Sequence, residues 1–114
     1  MGVYIFKSKH RDFIKIGHYC KYNAWSRIAH RGFYSVKRPD ELTNNVGVED
    51  MELIYWFPNL NMCDEKRIIE DLKKYKIIGE WFSTEALKDI DKYNYVNQCS
   101  KCDKEQAMKT RYRL

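Results

Sequence analysis

The chain has 114 residues, enough for one hydrophobic core and one domain but not two. Apolar residues at 44% and aromatics at 15% suit a packed core, while 32% charged residues and a mean hydropathy of -0.71 argue against a membrane protein. The net charge of +5 is unevenly spread: +8 over residues 1–38, -6 over 39–90 and +3 over 91–114.

No apolar run approaches the roughly 20 residues of a spanning helix. The opening Met1 to Lys7 has no basic lead, long apolar stretch or small-residue cleavage site, so it does not resemble a secretory signal. An intracellular location is expected, in the cytoplasm, or in the nucleus of a host if the chain is viral. Cys20, Cys63, Cys99 and Cys102 then read as reduced thiols. Cys99 and Cys102 stand two residues apart and read either as half of a Zn2+ knuckle or as plain thiols of the tail.

In chain order, Val3 to Lys7 and Phe13 to His18 are rich in β-branched and aromatic residues and are separated by a polar stretch, a hairpin pattern. Residues near Tyr22 to Arg31 repeat apolar side chains at helical spacing through Ala24, Trp25, Ile28 and Ala29, with Gly32 as a stop. From Phe33 to Asp50 the chain reads as an irregular connection. Met51 to Phe57 is a third strand, ended by Pro58.

Asn61 or Asp64 caps a helix expected to run to about Tyr75, with Ile68, Ile69 and Leu72 as its buried stripe and Gly79 closing it. Glu80, Trp81 and Phe82 read as a packing corner. Ser83 opens a last short helix carrying Leu87 and Ile90. After Tyr95 the sequence turns polar, and a tail is expected that is loosely ordered, or helical only on binding. The division is therefore residues 1–92 as the folded domain and 93–114 as a basic polar tail with the paired cysteines.

Alternation along the first two strands lets Tyr4 and Lys15 leave on one face, while Gly17 admits a close neighbour. His18 follows directly. The excess of basic residues over 1–38, including Lys7, Lys9 and Arg11, suits a polyanion such as nucleic acid; its plain alternative is a solvated surface. A phenol with its ordinary pKa near 10 is a poor base at neutral pH, and Lys15 is the cation expected to favour its phenolate.

The order Gly2-Val3-Tyr4, then Lys15-Ile16-Gly17, then Arg27 on a helix, then Glu65 on a later helix, then Gly79-Glu80-Trp81-Phe82 resembles the GIY-YIG nuclease superfamily. It is most similar to the branch called T5orf172 or MUG113, over about residues 2 to 90. Two departures stand out: Lys15 replaces the second motif tyrosine, and Ile69 stands where this branch often has histidine.

The resemblance implies an α+β fold with a small three-stranded antiparallel sheet flanked by helices, and a metal-dependent endonuclease acting on DNA. It implies Tyr4 as base or water-orienting group, Arg27 as the clamp on the scissile phosphate with Arg31 as competitor, and Glu65 as the carboxylate holding Mg2+ or Mn2+. His18 is either a water-orienting or metal-side residue or a structural histidine. Lys7, Lys9, Arg11, His30 and Arg31 are expected to bind the DNA backbone. Specificity is expected from a partner or from homo-oligomerisation. Two alternatives to the nuclease remain: a nucleic-acid-binding module with a decayed site, and a zinc-dependent interaction module.

Overall fold

The structure is a computed structural model that describes residues 1–28, Pro39 and 50–111, excepting the side chains of 108–111. The irregular connection expected over 33–50 lies outside these residues except at Pro39 and Asp50, as do His30 and Arg31.

Gly2–Ser8 forms β1 and Phe13–Tyr19 forms β2, paired antiparallel with Tyr4 opposite Gly17 and Phe6 opposite Lys15. Met51–Pro58 forms β3 on the other side of β1, with Tyr4 opposite Trp56. Flanked by neighbours on both sides, β1 is nearly continuously buried. The three strands lie where expected, and of the helix expected near 22–31 the structure describes α1 over Trp25–Ile28, its remainder and the stop at Gly32 lying outside the described residues.

Among the described residues the sheet has five strands rather than three, in the order β3-β1-β2-β5-β4, every pairing antiparallel. The two extra strands are Lys76–Ile78 (β4) and Trp81–Ser83 (β5). Three residues are too few for a period-two pattern to show, so β4 reads in sequence as the end of a helix and β5 as a packing corner. Gly79, at φ 58°, makes the reversal between them; a β-carbon there is strongly disfavoured.

The second helix is consequently shorter than its apolar stripe implies. Met62–Asp71 forms α2, opened by a reciprocal capping box in which Asn61 and Asp64 each accept the other's backbone N–H at 2.9 Å. A 3-10 turn over Lys73–Tyr75 leads into β4. Ser83 accepts the Glu85 N–H at 3.3 Å, opening a 3-10 turn at Thr84–Ala86 and then α3 over Leu87–Ile90.

The sheet is covered on both faces, as its alternating apolar side chains require. Val3, Ile5, Ile14, Ile16, Phe57 and Phe82 pack with Ile68 of α2, Leu72 at its C-terminal cap and Ile90 of α3. On the opposite face Tyr4, Phe6, Tyr19, Trp56 and Trp81 pack with Trp25 and Ile28 of α1. Cys102, and Ala107 of α4 (Lys104–Arg111), join this second cluster.

The segment after Tyr95 is therefore part of the fold, against the expectation of a loose tail. The Asn97 side chain accepts the Trp56 N–H at 3.0 Å and donates to the Ile54 carbonyl at 3.1 Å. The Gln98 N–H reaches the Trp56 carbonyl at 2.8 Å. One side chain and one amide thus satisfy the outer edge of β3, which would otherwise be unpaired. Polar composition hides this role because the groups involved are hydrogen-bonding ones.

Candidate active site

Tyr4 faces the α1 side of the sheet and is 1% exposed. Its ring lies across Gly17 on the neighbouring strand: a Cβ built at Gly17 would overlap the phenolic oxygen and Cζ of Tyr4 and sit 2.9 Å from its Cε1. The glycine is needed for space rather than for its backbone angles.

Arg27, on the single turn of α1, hydrogen-bonds to the Tyr4 phenol and is the cation that acts on it. Burial nonetheless dominates and pushes the phenol well above its ordinary range, with the negative charges of Glu80 and Glu65 adding to the rise. Tyr4 is thus a neutral hydroxyl at physiological pH. Arg27, not Lys15, is the stabilising charge beside it, because the Lys15 ammonium is committed elsewhere.

Lys15 shares the Tyr4 face and is 6% exposed. Its Nζ lies 3.4 Å from a Glu80 carboxylate oxygen and 5.6 Å from the centroid of Trp81, its partner across the β2–β5 ladder. Burial draws its pKa below the ordinary lysine value, Glu80 opposes that, and Arg27 adds repulsion. The sequence reading missed Glu80, since only the turn at Gly79 brings its side chain back to β2.

The gap through which both sheet faces meet is a consequence of strand length. β5 pairs with β2 only from Phe13 to Lys15, and the last outward bond runs from the Ile16 N–H to the Glu80 carbonyl at 3.1 Å. Two residues on, where the next outward N–H falls, the Glu65 carboxylate accepts the His18 backbone N–H. A side chain from α2 takes the place that a longer β5 would fill. Burial, then the Glu80 charge, raises the Glu65 pKa above its ordinary value; the His18 N–H, Lys15 and Lys66 lower it.

The His18 side chain leaves β2 on the face opposite Lys15 and Gly17 by strand alternation. Its Nε2 is buried without a hydrogen-bond partner among the described residues. His18 therefore serves Glu65 through its backbone, while its ring keeps one unmet polar atom on the α2 side.

Tyr4, Lys15, Arg27 and Glu65 thus come together from β1, β2, α1 and α2, with Glu80 added. Of the proposed backbone-binding residues, the described ones, Lys7, Lys9 and Arg11, do not join them, and His30 and Arg31 lie outside the described residues. Lys9 and Arg11 are exposed in the β1–β2 turn, and Lys9 stands five residues along the strand from Tyr4, about 17 Å at roughly 3.3 Å per residue. Lys7 donates to the Ser8 carbonyl at 2.8 Å.

Among the described residues no group of three or more His, Cys, Asp or Glu is placed to hold a metal ion. Glu65 presents one carboxylate anchored by the His18 N–H, with the negative charge of Glu80 close by, a donor set that would take a divalent ion only in a water-rich form. The cysteine pair is differently placed. Cys102 is buried with its Sγ 3.9 Å from the Tyr22 carbonyl, and burial raises its thiol pKa, which favours a packed thiol over a thiolate ligand. No helix among the described residues is long and apolar enough to cross a membrane.

Compared with family models, with curated proteins and with solved structures, the chain gives no match in any of the three.

Proposed function

We propose that this chain is a GIY-YIG-like endonuclease domain that hydrolyses phosphodiester bonds of DNA. One observation carries the reading: Arg27 and Glu65, distant in sequence and supplied by two different helices, both act on the Tyr4 phenol of β1, Arg27 by a hydrogen bond and Glu65 by its charge. That is the combination phosphoryl transfer requires, namely a group to orient the nucleophile, a permanent cation for the developing charge and an oxygen ligand for a divalent ion.

Each residue's role follows from its environment. The neutral Tyr4 hydroxyl accepts from Arg27 and orients a water for attack; as it takes the water's proton its own proton passes to a phosphate oxygen of the substrate, so it need not start as phenolate. The planar guanidinium of Arg27 meets two phosphate oxygens. Lys15 supplies a second positive charge on the same face. Glu65, steadied by the His18 N–H, would hold magnesium or manganese, and such an ion when bound neutralises charge on the leaving oxygen.

A binding module with a decayed site is the second reading, favoured by the near-complete burial of Tyr4. Plasmid nicking with magnesium or manganese separates the two. Cleavage by the wild type, abolished in Glu65→Ala and strongly reduced in Tyr4→Phe, supports the nuclease; DNA binding with no nicking by the wild type establishes the second reading instead. The proposed substrate and the four free cysteines are consistent with work inside a cell.

A further inference from the structure

The geometry points to Glu80 as a positioning residue for this site, one that holds the Lys15 ammonium beside Arg27 so that two cations face the same phosphate. The inference rests on the nuclease reading and gives a role in the site to Glu80, which the sequence reading took only as a landmark and part of a packing corner.

Glu80 grips β2 twice. Its carbonyl accepts the Ile16 N–H at 3.1 Å, and its carboxylate lies 3.4 Å from Lys15 Nζ on the adjacent residue. The first contact makes Glu80 the last residue to pair with β2 before the sheet edge opens, so its side chain stands at the mouth of the site. The carboxylate is half exposed while the lysine is nearly buried, 48% against 7% by side chain, so Glu80 reaches inward from solvent to an ammonium that the fold has enclosed.

That enclosed ammonium needs a partner. Burial and the neighbouring Arg27 both disfavour its charge, and the Glu80 carboxylate is the first influence that restores it. Two like charges close together are an anion-binding arrangement, but an unfavourable one while the anion is absent. A carboxylate at the rim offsets the repulsion in the free protein and leaves Lys15 charged for the phosphate. The Trp81 ring, 5.6 Å from Nζ, bounds the ammonium on the β5 side. Among the described residues, the charged and titratable groups facing this pair are Tyr4 from β1, Arg27 from α1 and Glu65 from α2.

The test is a double-mutant cycle on single-turnover nicking, with Glu80→Gln, Lys15→Met and the pair. We expect Glu80→Gln to lower kcat by about tenfold to 100-fold with KM nearly unchanged, since a misplaced cation costs transition-state contact, and to add nothing on the Lys15→Met background. Glu80→Asp is expected to recover part of the rate. Additive losses, or a loss confined to KM, overturn the inference.

A second readout is independent of cleavage: the NMR signal of the Lys15 side-chain Cε in the free protein, with and without Glu80→Gln. A shift supports Glu80 as the holder of Lys15, and an unchanged signal overturns it. Absence of nicking by the wild type overturns the nuclease reading itself, and the Lys15 signal then still decides whether the pair exists.

Discussion

Gly17 and Tyr4 occupy directly opposed positions on adjacent strands, and the phenol fills the volume that any side chain at Gly17 would need. The relationship ties the second motif glycine to the first motif tyrosine through packing alone. Gly17→Ala must therefore displace the Tyr4 ring from beneath Arg27. We expect a destabilisation of about 1–3 kcal/mol, the range for overpacking a filled core, measured as a shift in urea midpoint, together with loss of nicking. Unchanged nicking in a folded Gly17→Ala protein would contradict the placement of the phenol at the reacting centre.

Tyr4→Phe keeps the ring over Gly17 and removes only the hydroxyl bonded to Arg27. The cost in stability is expected to stay within about 1–2 kcal/mol, the scale of one hydrogen bond to a charged group. The nicking rate is expected to fall by about 100-fold or more, on the scale of a lost proton-transfer group. Comparable rates for wild type and variant under single-turnover conditions would assign Tyr4 to packing.

Lys15 gives a stability signature in pH. Its folded pKa lies below its ordinary value of 10.5, so over the interval between them the unfolded chain binds the proton that the native state has released. Unfolding free energy contributed by this group therefore rises with pH across that interval. At neutral pH the buried cation is a cost, and Lys15→Met, which removes it with little change in shape, is expected to be at least as stable as the wild type. The advantage of the variant should shrink as pH climbs toward 10.5. Chemical denaturation of both proteins at pH 7 and pH 10 checks the sign, and a widening gap would contradict it.

Asn97 tests whether the C-terminal segment belongs to the fold. Its side chain closes the β3 edge with bonds of 3.0 Å to the Trp56 N–H and 3.1 Å to the Ile54 carbonyl, and also accepts the Cys99 N–H at 3.0 Å. Asn97→Ala leaves those groups to solvent. It is expected to cost about 1–2 kcal/mol in urea denaturation and to hasten proteolytic clipping after Tyr95. A neutral substitution would restore the view of this segment as a tail.

Local pattern was enough for several parts of this protein. The alternation of Tyr4 against Val3 and Ile5, and of Lys15 against Ile14 and Ile16, already placed two polar side chains on one sheet face, because side-chain direction in a strand has a period of two. The α2 cap at Asn61 and the stripe of Ile68 and Leu72 were legible for the same reason, as each depends on residues within one or two turns.

Tertiary structure alone decided the rest. β4 and β5 are too short to show a period, so the five-stranded sheet, and with it the return of Glu80 to Lys15, was hidden. Whether Lys15 or Arg27 would act on Tyr4 depended on which cation already had a carboxylate partner, and that partner arrives from 65 residues away. The neutrality of the Tyr4 phenol likewise follows from burial between β1 and α1, a property of packing that no residue spacing encodes. Glu65 reaches the site because β5 stops short and leaves the His18 N–H to be satisfied; an unpaired backbone group, rather than a motif, sets where the carboxylate sits.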